Sequence, residues 1–140
     1  MANHIQMVMY EGYLTADPEM RFTPGGKEVT NFVIGSSRSY KLASGETAKE
    51  TTWLKVTTWG KLANIVNDYC EKGSHVIVRG TLRADESGHP HVYQLKDGSW
   101  GASYEITASD VRIIKGKANG TVEERAAEDT SDLDTGEIPF

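Results

Sequence analysis

The stretch TTWLKVTTWGK, residues 51–61, holds the side chains best suited to act on a ligand. Along a strand alternate side chains share a face, so Trp53, Lys55, Thr57 and Trp59 stand together while Leu54, Val56 and Thr58 point the other way. Two indoles with an ammonium between them offer flat rings for stacking and a cation for phosphate. That is the arrangement of a sequence-tolerant platform for single-stranded nucleic acid. The plainer reading makes both indoles core residues, but Leu54 and Val56 already supply the aliphatic pair that a core takes.

Two further stretches extend this chemistry. In RSYK, Arg38 and Tyr40 close a long strand-like run and pair a cation with a ring. Tyr40 has the same parity as Phe32 and Ile34, so turning its ring to a ligand requires a bulge near Gly35, where the missing side chain permits one. In HVIVRGTLR, Val76, Val78 and Leu82 alternate with Ile77, Arg79, Thr81 and Arg83, which places Arg79 and Arg83 on an outer face.

Catalytic arrangements are thin. His89 and His91 flank Pro90 beside Asp85 and Glu86, but no CxxC, HExxH, Walker or GxSxG sequence accompanies them. The chain is therefore expected to be no enzyme and to hold no metal. The single cysteine, Cys70, falls in an apolar helical pattern and reads as a buried thiol.

The elements that must position these residues follow from punctuation. Turn chemistry recurs every eight to twelve residues, in ADPE, TPGGK, ASGE, EKGS, DESGHP and DGSWG. Between the turns lie runs rich in Val, Ile, Thr, Tyr, Phe and Trp, which read as five strands over residues 5–15, 28–40, 51–58, 75–82 and 103–114. In KLANIVNDYCEKG, Leu62, Ile65, Val66, Tyr69 and Cys70 recur at helical spacing, with Gly73 as the stop. Three strands, a helix and two strands is the order of the all-β, five-stranded OB barrel, whose second and third strands form the ligand face. Hairpins around Ala43 and His89 are expected to extend from it as arms.

Charge divides the chain in two. Residues 1–117 carry a balance of +1 and residues 118–140 one of −6, within a total of −5. The first piece reads as the barrel domain and the second as a disordered, solvated acidic tail. That tail ends in Ile138, Pro139 and Phe140, an apolar tip with no core of its own to enter, suited to another protein's pocket. No apolar run has the length of a membrane span, and MANHIQMVMY lacks the pattern of a signal peptide, so a cytosolic protein with no membrane partner is expected.

VMYEGYLTADPEMRFTPGGKEVTNFVIGSSRSY, TTWLKVTTWGKLANIVNDYCEKGSHVIVRGTLR and the terminal EIPF together resemble the bacterial, or phage, single-stranded DNA-binding proteins. Gly12, Leu14, Asp17, Pro18 and Glu19 match that family's first strand and turn, and Trp53, Val56, Trp59, Gly60 and Lys61 match its tryptophan block. The resemblance implies a homotetrameric OB-fold that wraps single-stranded DNA during replication, recombination and repair, with no catalysis and no cofactor, associated with the nucleoid. It implies base stacking on Tyr40, Trp53 and Trp59, with Tyr93 or Trp100 as a fourth aromatic. It implies phosphate contacts from Arg21, Lys55, Lys61, Lys72 and Arg83, to which the strand readings add Arg38 and Arg79. In the tail it implies that Asp132, Asp134 and Glu137 supply charge, and Ile138, Pro139 and Phe140 the anchor, for docking to replication, recombination and repair proteins. The chain departs from the family in its hairpin SGHPHVYQLKDGSWGAS, in Leu54 where some members carry histidine, and in its short linker. The alternatives are an OB-fold RNA-binding or replication-restart module, and a protein-interaction adaptor.

Overall fold

Residues 3–117 are described by the structure, a computed structural model. Five strands close a barrel: β1 (Val8–Leu14), β3 (Glu28–Lys41), β4 (Thr47–Trp59), β5 (His75–Leu82) and β8 (Tyr104–Lys115). The ladder runs β1-β5-β8-β4-β3, and a β3 to β1 pairing closes it. The β4 to β8 pairing is parallel and the others are antiparallel. These five strands are the ones read from the sequence, and the barrel is of the OB type.

Alternation builds the interior. Leu14, Phe32, Ile34, Leu54, Val56, Val76, Val78 and Ile106 point inward and are nearly or completely inaccessible. The helix α1 (Lys61–Tyr69) sits between β4 and β5 in the chain and buries Ala63 and Val66. Its attachment to the barrel is partly polar, since the buried hydroxyl of Thr30 donates to the carbonyl of Ala63 at 2.8 Å. A buried hydroxyl without such a partner would be costly, so this bond fixes where the helix lies on β3. Cys70 packs into the same core, and burial pushes its thiol up to about 12.

Several expectations need correction. The helix ends at Tyr69, where Cys70 turns extended with φ −116° and ψ 149°; Gly73 belongs to the following turn and is not the stop. Leu82, placed inward by alternation, is exposed at the end of β5, beyond a register shift at Arg79/Gly80. Three short strands were not foreseen: β2 (Glu19–Phe22), which adds to β3, and the ribbon of β6 (Val92–Gln94) with β7 (Trp100–Ala102). Runs of three or four residues are too brief to show a period of two. The first arm is the continuation of β3 and β4 past the barrel to a turn at residues 42–46. The second does not pivot at His89. Asp85 closes a turn there by accepting from the backbone N–H of Ser87 and His89, and the ribbon turns further on, at residues 95–99. The acidic tail, with Asp132, Asp134, Glu137, Ile138, Pro139 and Phe140, lies outside the described residues.

Candidate nucleic-acid interface

The β3–β4 ladder runs from Val29↔Trp59 to Lys41↔Thr47 without a shift in register. Paired residues share a face, so the outer face sets Trp59 opposite Val29, Thr57 opposite Asn31, Lys55 opposite Val33 and Trp53 opposite Gly35. Leu54, Val56 and Thr58 are buried on the other side, while Trp53 is 58% and Trp59 39% exposed. The indoles are therefore surface groups, and the core reading for them falls away. Thr57, between them, is covered, and its hydroxyl donates to Asn31 Oδ1 at 2.9 Å.

On this face lies an open groove of about 470 Å³, lined by Thr15, Asp17 and Glu19 at one rim, Asn31, Val33, Lys55 and Thr57 on the floor, and Arg21, Arg83 and Glu105. Three of the cations read from the sequence, Arg21, Lys55 and Arg83, thus come together in one groove, with Lys55 between the two indoles along β4. Lys72 approaches the same rim, its backbone N–H donating to Asp17 Oδ1 at 2.8 Å. Lys61 opens α1 two residues after Trp59.

Other candidates stand elsewhere. Arg79 pairs with Met9 on β1 and places its guanidinium 3.8 Å from Asp110, on the outer face of the β1–β5–β8 side. Arg38 donates to Glu50 at 2.6 Å and covers the ring of Tyr40 at 5.2 Å. No bulge occurs near Gly35, so Tyr40 keeps the parity of Phe32 and Ile34 and is exposed only because the arm outruns the core. Tyr93 and Trp100 occupy opposite faces of the β6–β7 ribbon. Tyr93 pairs with Gly101 and covers it, since a Cβ built there would lie 2.7 Å from the tyrosine ring, whereas Trp100 pairs with Gln94 and is 69% exposed.

Sequence reasoning passed over three participants. Lys27 places its ammonium 5.5 Å from the ring centre of Trp59, within cation–π reach. The signal lay in the TPGGK turn, which returns the chain beside Trp59 once the register is known. Asn31 was hidden by its neutrality. Glu105, whose side chain is only 15% exposed, joins the floor because β8 runs parallel to β4 with Glu105 beside Lys55. Among the described residues no group of three or more His, Cys, Asp or Glu is placed to hold a metal ion.

Comparison with known proteins gives one consistent family. The model described as the single-strand binding protein family matches residues 5–114. Single-stranded DNA-binding protein 1 of Chlorobaculum tepidum is 33% identical over 123 residues, which cover 86% of this chain and 71% of that one. The single-stranded DNA-binding protein of Neisseria meningitidis is 31% identical over 81% of this chain and 62% of its own length. Among solved structures, a deletion mutant of the single-stranded DNA-binding protein from Thermus aquaticus superposes with a TM-score of 0.62 at 26% identity, covering 86% of this chain and 54% of that one. The Plasmodium falciparum SSB complex with ssDNA superposes with a TM-score of 0.67 at 18% identity, covering 82% of this chain and 99% of that one, a likeness of fold.

Proposed function

The chain belongs to the single-strand binding protein family, and from that premise we propose that it binds single-stranded DNA without regard to sequence, in the groove of the β3–β4 face. The observation that carries this reading is the pairing of two exposed indoles, Trp53 and Trp59 on β4, with a groove lined by Arg21, Lys55 and Arg83, of which Lys55 stands between the indoles on the same strand face. Bases stack on the indoles because every base has a π-face, and the cations hold phosphates wherever the backbone passes. Lys61 and Lys72 extend the cationic rim. Either face of the β6–β7 ribbon supplies a further ring, Tyr93 on one side and Trp100 on the other, and Tyr40 supplies one on the first arm.

Residues 1–117 form the DNA-binding domain, which assembles as a homotetramer. Residues 118–140 form the tail that recruits proteins of replication, recombination and repair through Ile138, Pro139 and Phe140, with Asp132, Asp134 and Glu137 meeting basic rims on those partners. The work is that of a cytoplasmic, nucleoid-associated protein that protects and organises exposed strands and catalyses no reaction.

Titration of the full chain with poly(dT) and with poly(U), read by tryptophan fluorescence, tests the reading. DNA should quench strongly and bind more tightly than RNA, and Trp53→Ala or Trp59→Ala should each cost about 1 to 3 kcal/mol. Full-strength binding by the double variant would sink it.

A further inference from the structure

The groove contains a contradiction if it is only a phosphate site. Its lining sets the carboxylates of Asp17, Glu19 and Glu105 against the cations of Arg21, Lys55 and Arg83, a balance of zero. Asp17 and Glu19 stand at the rim, but Glu105 is largely buried on the floor beside Lys55. Its carboxylate lies 3.7 Å from the Arg83 guanidinium on one side and 3.5 Å from His91 Nδ1 on the other. The backbone repeats the link, because the N–H of Arg83 donates to the carbonyl of Glu105 at 2.9 Å. Among the described residues His91 Nδ1 is inaccessible and meets no hydrogen-bond partner, an unusual state for a buried ring nitrogen.

Resting on the reading that this groove binds DNA, we propose that Glu105 holds Arg83 in the free groove and that His91 takes over the carboxylate, by binding one proton, when DNA draws Arg83 away. In the free protein Glu105 holds the guanidinium near the floor. An arriving phosphate competes for the same cation and, by taking it, leaves a buried carboxylate without its partner. A carboxylate in that position repels the phosphate unless its charge is answered. His91 is the group placed to answer it: a proton taken from water converts the unpartnered Nδ1 into a cationic donor 3.5 Å from Glu105 Oε2. Imidazole is the side chain type that can gain a proton without leaving the range between pH 5 and 8.

The groups around His91 allow this. From its own segment Asp85 adds negative charge, though its Oδ1 is occupied by the backbone N–H groups of Ser87 and His89 and by the hydroxyl of Ser87, which hold its carboxyl below the usual range. From β8 comes Glu105, from the end of β5 Arg83, and across the groove Lys55, Arg21, Asp17 and Glu19. The remaining histidines of the described barrel and arm are engaged elsewhere. His89 Nδ1 meets the Ser87 hydroxyl at 3.0 Å, and His75 lies 2.5 Å from Glu11 and stacks on Tyr13.

The test is a titration of the full chain with poly(dT) at pH 6, 7 and 8 and constant salt, together with calorimetry in two buffers of different ionisation enthalpy to count protons. One proton per site allows at most about tenfold in affinity per pH unit, so the wild type should bind on the order of tenfold more tightly at pH 6 than at pH 8 and take up protons on binding. His91→Gln, a change in an arm outside the barrel core, should flatten the profile and abolish the uptake. Glu105→Gln should bind tightly at pH 8 with no pH dependence left. Wild-type affinity that is constant from pH 6 to 8, or a pH dependence retained by His91→Gln, overturns the assignment while leaving DNA binding in place. Absence of quenching at every pH overturns the binding reading and this inference with it.

Discussion

The benzene ring of Trp53 fills the space that a side chain at Gly35 would occupy: a Cβ built on that glycine lies 2.6 Å from Cζ3 and 3.1 Å from Cε3 of the indole. The two residues are register partners on β3 and β4, so the glycine provides a flat seat for the ring. Gly35 is not among the glycines with positive φ, so its backbone accepts any residue and only the seat requires glycine. Gly35→Ala should therefore fold, yet displace the indole and weaken poly(dT) binding. The loss should stay within the roughly 1 to 3 kcal/mol that one stacked base is worth. Thermal melting and fluorescence titration of the same preparation check both halves, and wild-type affinity in Gly35→Ala would show that the indole needs no seat.

Salt dependence separates groove cations from bystanders. Each phosphate neutralised on a single strand contributes about 0.7 to the slope of log K against log salt. Arg21→Ala, Lys55→Ala and Arg83→Ala should each reduce the slope by about that amount. Arg79→Ala, beside Asp110 on a different face, should leave it as it was.

Cys70 should be silent toward alkylation at neutral pH. Burial raises its thiol from 9.0 to about 12, although Lys117 acts in the opposite direction. The folded state holds this proton more tightly than the unfolded state does. The neutral thiol's contribution to stability is therefore complete below pH 9.0 and is lost as pH rises toward about 12. Iodoacetamide labelling with and without denaturant measures the protection, and rapid labelling of native protein at pH 7 would contradict it.

Two truncations separate the roles proposed for the tail. Deleting residues 118–140 removes a balance of −6 that competes with phosphate, so DNA binding should tighten, most of all at low salt where screening is weak. Deleting only Ile138, Pro139 and Phe140 removes no side-chain charge and should barely alter DNA binding, while abolishing capture of replication and repair proteins. Pull-down and titration of both truncations check this, and retention of every partner by the shorter deletion would release the apolar tip from its role.

The barrel was legible because its five strands are long enough for alternation to show, and the helix because Leu62, Val66 and Tyr69 fall on one stripe. The shared outer face of Trp53, Lys55 and Trp59 was legible for the same reason, since one strand carries all three. What escaped depends on pairing between distant segments. Glu105 reaches the groove only through the parallel pairing of β8 with β4, and Lys27 reaches Trp59 only through the register of β3. His91 stood out in the sequence only as a flank of Pro90 without a catalytic motif, and its approach to Glu105 follows from the path of an arm that no local period describes. Arg79 and Arg83, four residues apart on one run, were grouped together; the register shift at Arg79/Gly80 and the end of the strand separate them.

The ring of strands is fastened unevenly. Thirteen register pairs join β3 to β4, which are neighbours in the chain, but the β1–β3 seam has only Tyr13↔Gly35 and Leu14↔Ile34. Gly12 belongs to that seam by necessity, because a Cβ there would come 2.6 Å from the carbonyl oxygen of Gly35. In kinetic terms the local hairpin should zip early, whereas the β1–β5 ladder, which sets Val8 opposite Gly80, has the largest loop entropy to overcome. With two register pairs, that short seam should be where the finished barrel opens first. Gly35 belongs to the seam and also seats Trp53, so each opening of the ring disturbs the indole, and a strand stacked on Trp53 should slow amide exchange at Thr15, whose N–H donates to Val33 beside the seam.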